Sequence, residues 1–264
     1  MNIYYHKNNN RLVYIEKNAT AEYWDESWSE ETEESLAKIY KNDSYVSRIT
    51  KKYLPKGSVI VEGGCGRGNH VHALFQNGYK SIGLDFAPKT IELLKKTAPN
   101  LDIRLDDVRN TKLHQNSVDG YWSLGVIEHF YNGFDLIADD IARILRKDGY
   151  VFLTFPAMNS LRSLKAKMNI YPEYRQEYEE NFYQFALDPK VVIEEFKMRG
   201  FELISFKRSA GFKGLKDESP RWLKYLLQKI YDSNNIISKA LGFFLNKLIS
   251  NLCGHIAIMV FKKI

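Results

Sequence analysis

Cysteine is scarce in this chain, with two, Cys65 and Cys253, among 264 residues. They stand far apart and in no C-x-x-C or zinc-ligand spacing, which excludes a disulfide framework and a cysteine-rich metal module. No uninterrupted run of eighteen apolar residues occurs, so no segment is expected to span a bilayer. Residues 1–10 are polar and lack the apolar centre of a secretion signal, so none is expected there. A reducing, cytoplasmic compartment is the resulting expectation. Disorder is excluded as well, because a hydrophobic content of 44% with 14% aromatics supplies a core. No internal repeat is present.

Charge is abundant and unevenly placed. The net charge is +6. Asp25, Glu26, Glu30, Glu31, Glu33 and Glu34 form an acidic N-terminal patch. Between residues 219 and 250, Arg221, Lys224, Lys229, Lys239 and Lys247 face one acid, Asp232. A basic segment of this kind suits nucleic acid, an anionic lipid surface or plain solvation.

The richest local signal is Ser58-Val59-Ile60-Val61-Glu62-Gly63-Gly64-Cys65-Gly66-Arg67-Gly68. A β-favouring run enters a glycine-dense turn, and residues 69–75 beyond it read as a helix. Strand, glycine turn and helix N-terminus make the nucleotide-binding unit of an open α/β sheet. The dinucleotide pattern G-x-G-x-x-G fails, because Asn69 holds its last position. The pattern present is E-x-G-x-G-x-G. Further strands are expected at 79–85, 101–105, 118–124, 150–155, 201–207 and 256–261, with helices over 88–97, 136–145 and 189–200. That alternation predicts parallel βαβ units. Two irregular stretches, 156–187 and 209–254, interrupt it. The expected organisation is an N-terminal helical cap (1–54), a core (55–208) with an insertion at 156–187, an amphipathic helical insertion (209–254) and a last core strand (255–264).

The glycine pattern resembles motif I of the class I S-adenosylmethionine (SAM)-dependent methyltransferases. Glu62 fits that cofactor physically, since a carboxylate would repel a pyrophosphate but suits an ammonium and a sulfonium. Three further motifs carry the resemblance: Ile82-Gly83-Leu84-Asp85-Phe86; Asp106-Asp107-Val108; and the run 118–130, closed by the turn at 145–150. It covers residues 24–155 and 188–207 and is closest to the family's small-molecule branch. The resemblance implies a Rossmann-like α/β fold, a seven-stranded mostly parallel sheet with helical insertions. It implies that Glu62, Gly64, Cys65, Gly66 and Gly68 meet the cofactor, with Asp85 on the ribose hydroxyls and Phe86 beside it. It places an acid at the adenine amino group, either Asp107 or Asp106, with Val108, Ser123 and Leu124 completing the site. SAM would be consumed to S-adenosyl-L-homocysteine, no metal is expected, and the N-terminal helical segment with Tyr23, Trp24 and Trp28 is expected to cover the cofactor.

His129 follows the fourth strand, where an imidazole could take a proton from a hydroxyl or merely pack. Ser123 is no hydrolase nucleophile, since Gly120 and Gly125 stand one residue too far apart for G-x-S-x-G. His70 and His72 point to different helix faces and make no metal pair. The expected acceptor is a small or lipid-linked molecule methylated on oxygen. The alternatives are a tRNA or rRNA methyltransferase, opposed by the acidic patch and the missing RNA-binding module, and a catalytically silent interaction subunit. Nucleic acid is not an expected partner.

The 209–254 insertion reads as an amphipathic helical pair that lids the acceptor site. Trp222, Leu223, Leu226, Leu227 and Ile230 share one face of the first helix. Ile237, Leu241, Phe244 and Leu248 share one of the second, with Lys239, Gly242, Asn246 and Ser250 opposite. The apolar faces are expected either to pack on the domain or a partner subunit, or to meet a membrane through 219–250, with peripheral placement at the inner membrane face.

Overall fold

The computed structural model describes residues 2–29, 44–233 and 235–264. Much of the acidic patch, Glu30 to Glu34, lies outside these residues, as do the side chains of Ile237 and Leu241. Among the described residues, ten strands form two sheets.

The larger sheet holds seven strands: β3 (Val59–Gly63), β4 (Lys80–Asp85), β5 (Asp102–Leu105), β6 (Val118–Leu124), β7 (Leu145–Pro156), β9 (Phe201–Ser209) and β10 (Ile256–Lys263). Their order is β5-β4-β3-β6-β7-β10-β9. The five from β5 to β7 run parallel, and β10 pairs antiparallel with both β7 and β9. The expected seven-stranded, mostly parallel sheet is therefore present. Chain order reverses at the junction of β3 and β6, the place where open α/β sheets leave a crevice beyond their strand ends.

Helices cover both faces: α2 (Tyr45–Thr50), α3 (Asn69–Gln76), α4 (Pro88–Thr97), α5 (Asp135–Ile144) and α7 (Pro189–Met198). Local chemistry fixes where they start. Pro88 and Pro189 occupy first-turn positions, and Asp188 caps α7 by accepting the Lys190 N–H. On the α2 face, Trp122 stacks on Phe152 with ring centroids 4.4 Å apart, and both side chains are fully buried. The other face of the sheet buries Val61, Tyr121, Val151 and Leu153 under α5 and α7.

The N-terminus departs from the expected helical cap. It opens as a hairpin of β1 (Asn2–His6) and β2 (Arg11–Ile15), and only then forms α1 (Ala21–Ser29). The hairpin turns at Asn10, whose φ of 44° is a left-handed conformation that asparagine tolerates. β2 pairs with β8 (Phe182–Ala186) from the 156–187 insertion, giving a three-stranded antiparallel sheet. Its two faces explain the alternation. Val13 enters the main core, while Leu12 and Tyr14 pack on Met158 and Ala166 of the insertion.

The second insertion contains three helices rather than a pair: α8 (Gly211–Glu218), α9 (Arg221–Asp232) and α10 (Ile236–Cys253). It is anchored by Arg162 of α6 (Ser160–Lys167), whose fully buried guanidinium donates to Glu218 Oε1 at 2.9 Å. Lys165 Nζ donates to the other carboxylate oxygen at 2.7 Å. Burial pushes the Glu218 carboxyl up, but these cations hold it below its ordinary value.

Candidate functional site

The glycine turn after β3 determines the site. Gly64, Gly66 and Gly68 all have positive φ, 70°, 48° and 68°, so a side chain at any of them would be strained. The Gly64 and Cys65 N–H groups donate to Leu84 O, at 2.8 and 2.9 Å, which fixes the turn beside the end of β4. Asp85 at that end accepts the Gly66 N–H at 2.8 Å and the Ala87 N–H at 3.0 Å. Burial raises the Asp85 pKa, against the pull of those N–H groups.

Gly68 is the N-cap of α3 and has no side chain to satisfy its first turn. Glu62 takes that role, accepting the Val71 N–H. Its Oε2 has no hydrogen-bond partner, and burial pushes its carboxyl up to about 8. A buried carboxyl so placed is neutral at pH 7 and ionises if a cation is brought near. That orphaned oxygen fits a cofactor that carries an ammonium and a sulfonium.

A cavity of about 640 Å³ opens in front of the turn. This lies within the ~300–1,000 Å³ of ligand pockets. Gly64, Gly66, Asp85, Phe86, Asp107, Val108, Leu124 and His129 line it. Glu62, Cys65, Gly68 and Ser123 do not. The cause is strand and turn geometry: Cys65 turns into a core cluster with Val71, Ile91, Leu94 and Ile103, where burial pushes its thiol up. Ser123 is buried, its Oγ without a partner.

The two adjacent acids differ in their surroundings. Asp106 is buried and accepts the Asp107 N–H at 3.0 Å and the Lys112 N–H at 2.9 Å. Asp107 is half-buried on the cavity wall and pairs with Arg109 at 2.6 Å, which holds its carboxyl below the ordinary value. Of the two, only Asp107 is presented to a ligand.

His129 Nδ1 donates to Tyr183 O at 2.8 Å, since a carbonyl can only accept; Nε2 is then left with its lone pair. Trp24 and Tyr183 stand edge-on to the imidazole, with centroids 5.2 and 5.1 Å away. Burial lowers its pKa to about 4. The ring is therefore neutral at pH 7, and Nε2 is able to accept a hydrogen bond. As a general base it is mismatched, because efficient bases titrate near the working pH.

Trp24 and Trp28 of α1, expected over the cofactor, stack at 5.9 Å and line the cavity. Thr20, Tyr131, Asp135, Glu179 and Phe182 line it as well and had no signal in the sequence. Arg67 lies over the Trp28 ring at 5.0 Å. Tyr23, expected beside these tryptophans, is not on the wall and packs against Trp24 and Tyr183. The 209–254 insertion does not lid the site, as none of its described residues lines the cavity. It springs from β9 at the sheet edge, three strands from β6.

Residues 61–153 match the family model described as "Methyltransferase domain". This stretch is a methyltransferase domain of the class I SAM-dependent superfamily. A probable S-adenosylmethionine-dependent methyltransferase of Mycolicibacterium smegmatis is 28% identical over 100 residues, which is 38% of this chain and 38% of that protein. The match thus spans little more than a third of that relative. Among solved structures, the methyltransferase in complex with the Trm112 methyltransferase activator of Haloferax volcanii is similar, with TM-score 0.58, 13% identity, and coverage of 90% of this chain and 96% of that one. So is geranyl diphosphate C-methyltransferase from Streptomyces coelicolor, solved with Mg2+, geranyl diphosphate and S-adenosyl-L-homocysteine, with TM-score 0.56, 12% identity, and coverage of 94% and 100%. At these identities the structural likeness carries the fold alone. The methyltransferase domain brings SAM with it as the cofactor of its family.

Proposed function

We propose that this protein is a SAM-dependent methyltransferase acting on the oxygen of a small or lipid-linked acceptor. The observation that carries the reading is one cavity whose wall holds both Asp85 at the glycine turn and His129, whose Nδ1–H is spent on Tyr183 O. SAM supplies a methyl group on a sulfonium, so the protein must chiefly bind, orient and exclude water. In this reading Asp85 accepts the ribose hydroxyls and Asp107 the adenine amino group, with Val108, Phe86 and Leu124 against the base and sugar. Glu62 acts from behind the turn, capping α3 and answering the cofactor's positive charge. His129 holds the acceptor hydroxyl in line, and Trp24 and Trp28 keep water away.

The wall charge bears on the acceptor class. Among the described residues, Asp85, Asp107, Asp135 and Glu179 line the cavity against one guanidinium, Arg109, already paired with Asp107. Such a wall disfavours a phosphate backbone, which speaks against the RNA alternative. It suits an acceptor that is neutral at its reacting end. In the same reading the enzyme is cytoplasmic and meets a membrane peripherally through 219–250; no helix among the described residues is long and apolar enough to cross one.

The test is turnover with SAM across a panel of hydroxylated small molecules and lipids, with amines and thiols as controls and S-adenosyl-L-homocysteine formation as readout. Turnover confined to hydroxyl acceptors supports the reading. Turnover on RNA alone, or on amines alone, contradicts it.

A further inference from the structure

α10 is amphipathic with its polarity reversed. Its small and polar stripe, Gly242, Asn246 and Ser250, faces the protein, while Phe243, Phe244, Leu248 and Leu252 face outward at 55–75% exposure. The apolar face was expected either to pack on the domain or a partner subunit or to meet a membrane, and at Phe244 and Leu248 it does not pack on the domain. The reason lies in α8. Its N-cap, Ala210, offers no side-chain acceptor, and α10 provides two: Asn246 Oδ1 accepts the Phe212 N–H at 2.9 Å and Ser250 Oγ the Gly211 N–H at 3.1 Å. The helices also approach closely, since a Cβ at Gly211 would stand 2.7 Å from the Ser250 backbone. Rolling α10 to bury its phenylalanines would break both caps and force the two backbones apart. The outward apolar stripe is built in.

α9 extends the same exposed character. None of its residues is buried, and Trp222, Tyr225 and Leu226 are half or more exposed. Seven large apolar or aromatic side chains thus stand in solvent within one segment. Soluble surfaces do not keep such a concentration without an occupant.

Charge decides which occupant. Five cations, Arg221, Lys224, Lys229, Lys239 and Lys247, share the segment with one acid, Asp232. A second copy of this chain would set like charges against like across a two-fold axis. Beside the apolar stripe, Lys207 and Arg208 of β9 join Lys247, Asn246, Ser250 and Asn251 around an open groove, with Phe206 at its wall. Cations and amide or hydroxyl donors around a recess bordered by apolar groups match a lipid phosphate above acyl chains.

We infer that α9 and α10 dock this protein on an anionic phospholipid surface, with Trp222, Phe243, Phe244, Leu248 and Leu252 entering the interface and the Lys207–Arg208–Lys247 groove taking a lipid phosphate. This inference rests on the membrane contact included in the proposed function and assigns it to a face, an orientation and a headgroup charge. It places the docking surface at the β9 edge of the sheet, away from the cavity, so binding to lipid and binding to cofactor are separable.

The test is co-sedimentation of the full chain with phosphatidylcholine vesicles made with and without phosphatidylglycerol. A double variant, Phe244→Glu with Leu248→Glu, removes the apolar insertion at two exposed positions. A second, Lys207→Ala with Lys247→Ala, removes groove charge. Wild type is expected to bind vesicles containing phosphatidylglycerol and to bind neutral ones at least about 10-fold more weakly, with the difference shrinking in high salt. Each double variant is expected to lose about 10-fold or more in partitioning. The melting-temperature rise with S-adenosyl-L-homocysteine is expected to be unchanged in both, which shows that they fold. Absence of wild-type binding at low salt overturns the inference, as does unchanged binding of the Phe244/Leu248 variant. A wild-type dimer that this variant converts to monomer also overturns it, assigning the face to a second copy. Vesicle binding without any response to S-adenosyl-L-homocysteine would sink the cofactor reading and leave the docking face standing.

Discussion

Asp25 on α1 caps a helix 65 residues away, its Oδ1 accepting both the N–H of Thr90 at 2.9 Å and the Thr90 hydroxyl at 3.0 Å. The N-cap of α4, Ala87, has no side-chain acceptor of its own. The contact therefore completes α4 and also holds α1, with Trp24 and Trp28, over the cavity. Asp25→Ala is expected to cost about 0.5–2 kcal/mol of stability, the worth of a cap. It should also weaken S-adenosyl-L-homocysteine binding, because the tryptophan wall loses its tether. Thermal unfolding and calorimetric titration of the variant measure the two effects separately.

Asp85 and Asp106 should give opposite phenotypes. Asp85→Ala removes a wall carboxylate and is expected to weaken cofactor binding by about 1.5–3 kcal/mol for each charge-assisted bond lost. Asp106→Ala leaves the Asp107 and Lys112 N–H groups without their acceptor, so it should lower stability and spare affinity. Asp107→Ala is expected to fall between them in affinity. Titrating S-adenosyl-L-homocysteine into all three checks the order, and equal affinity losses at 106 and 107 would show that the wrong acid has been assigned to adenine.

Two buried carboxyls give the ligand-free protein a pH signature. Burial pushes both Glu62 and Glu128 up to about 8 from an ordinary 4.5. Their protons stay bound in the folded state after the unfolded chain has released them, so stability falls as pH rises from about 4.5 to about 8. Below the ordinary histidine value of 6.5 the lowered pKa of His129 works the other way, adding stability as pH rises from about 4. The clean window is therefore pH 6.5 to 8. There the slope is negative, up to about 1.4 kcal/mol per pH unit for each group. Glu62→Gln and Glu128→Gln should each flatten it, as chemical denaturation at several pH values would show.

His129→Ala is expected to lower kcat at least about tenfold while leaving cofactor affinity unchanged, since Nε2 serves the acceptor and not SAM. Because the imidazole is neutral throughout the physiological range, wild-type turnover should show no limb near the ordinary histidine value. A pH–rate profile with a break between 6 and 7 that vanishes in the variant would instead make His129 a titrating base.

The sheet and its switch point were legible because strand alternation and the glycines at 64, 66 and 68 are local demands of the backbone. Asp85 was legible as the acid of the motif Ile82-Gly83-Leu84-Asp85-Phe86. What escaped is what crosses the chain. Of the helices that begin at residues unable to cap them, those at Gly68, Ala87 and Ala210 are satisfied from elsewhere: α3 by Glu62, α4 by Asp25, and α8 by Asn246 and Ser250. A helix with a poor cap in its own sequence announces a missing partner but not which one. Periodicity likewise located α10 but left open whether its apolar stripe packs on the domain or faces outward, because hydrophobic spacing carries no sign of direction. Cys65 and Ser123 match the family pattern, but their side chains are buried off the cavity wall. The hairpin at residues 2–15 was missed because its partner strand, β8, lies in the irregular insertion.

The central claim is that the glycine turn, Asp85 and Asp107 form a SAM site. Isothermal titration of the wild-type chain with S-adenosyl-L-homocysteine, and in parallel with NAD, tests it most directly. Saturable 1:1 binding of S-adenosyl-L-homocysteine, lost on Asp85→Ala, with no heat from NAD is the predicted result. Binding of NAD, or no binding of S-adenosyl-L-homocysteine by a folded protein, would contradict it.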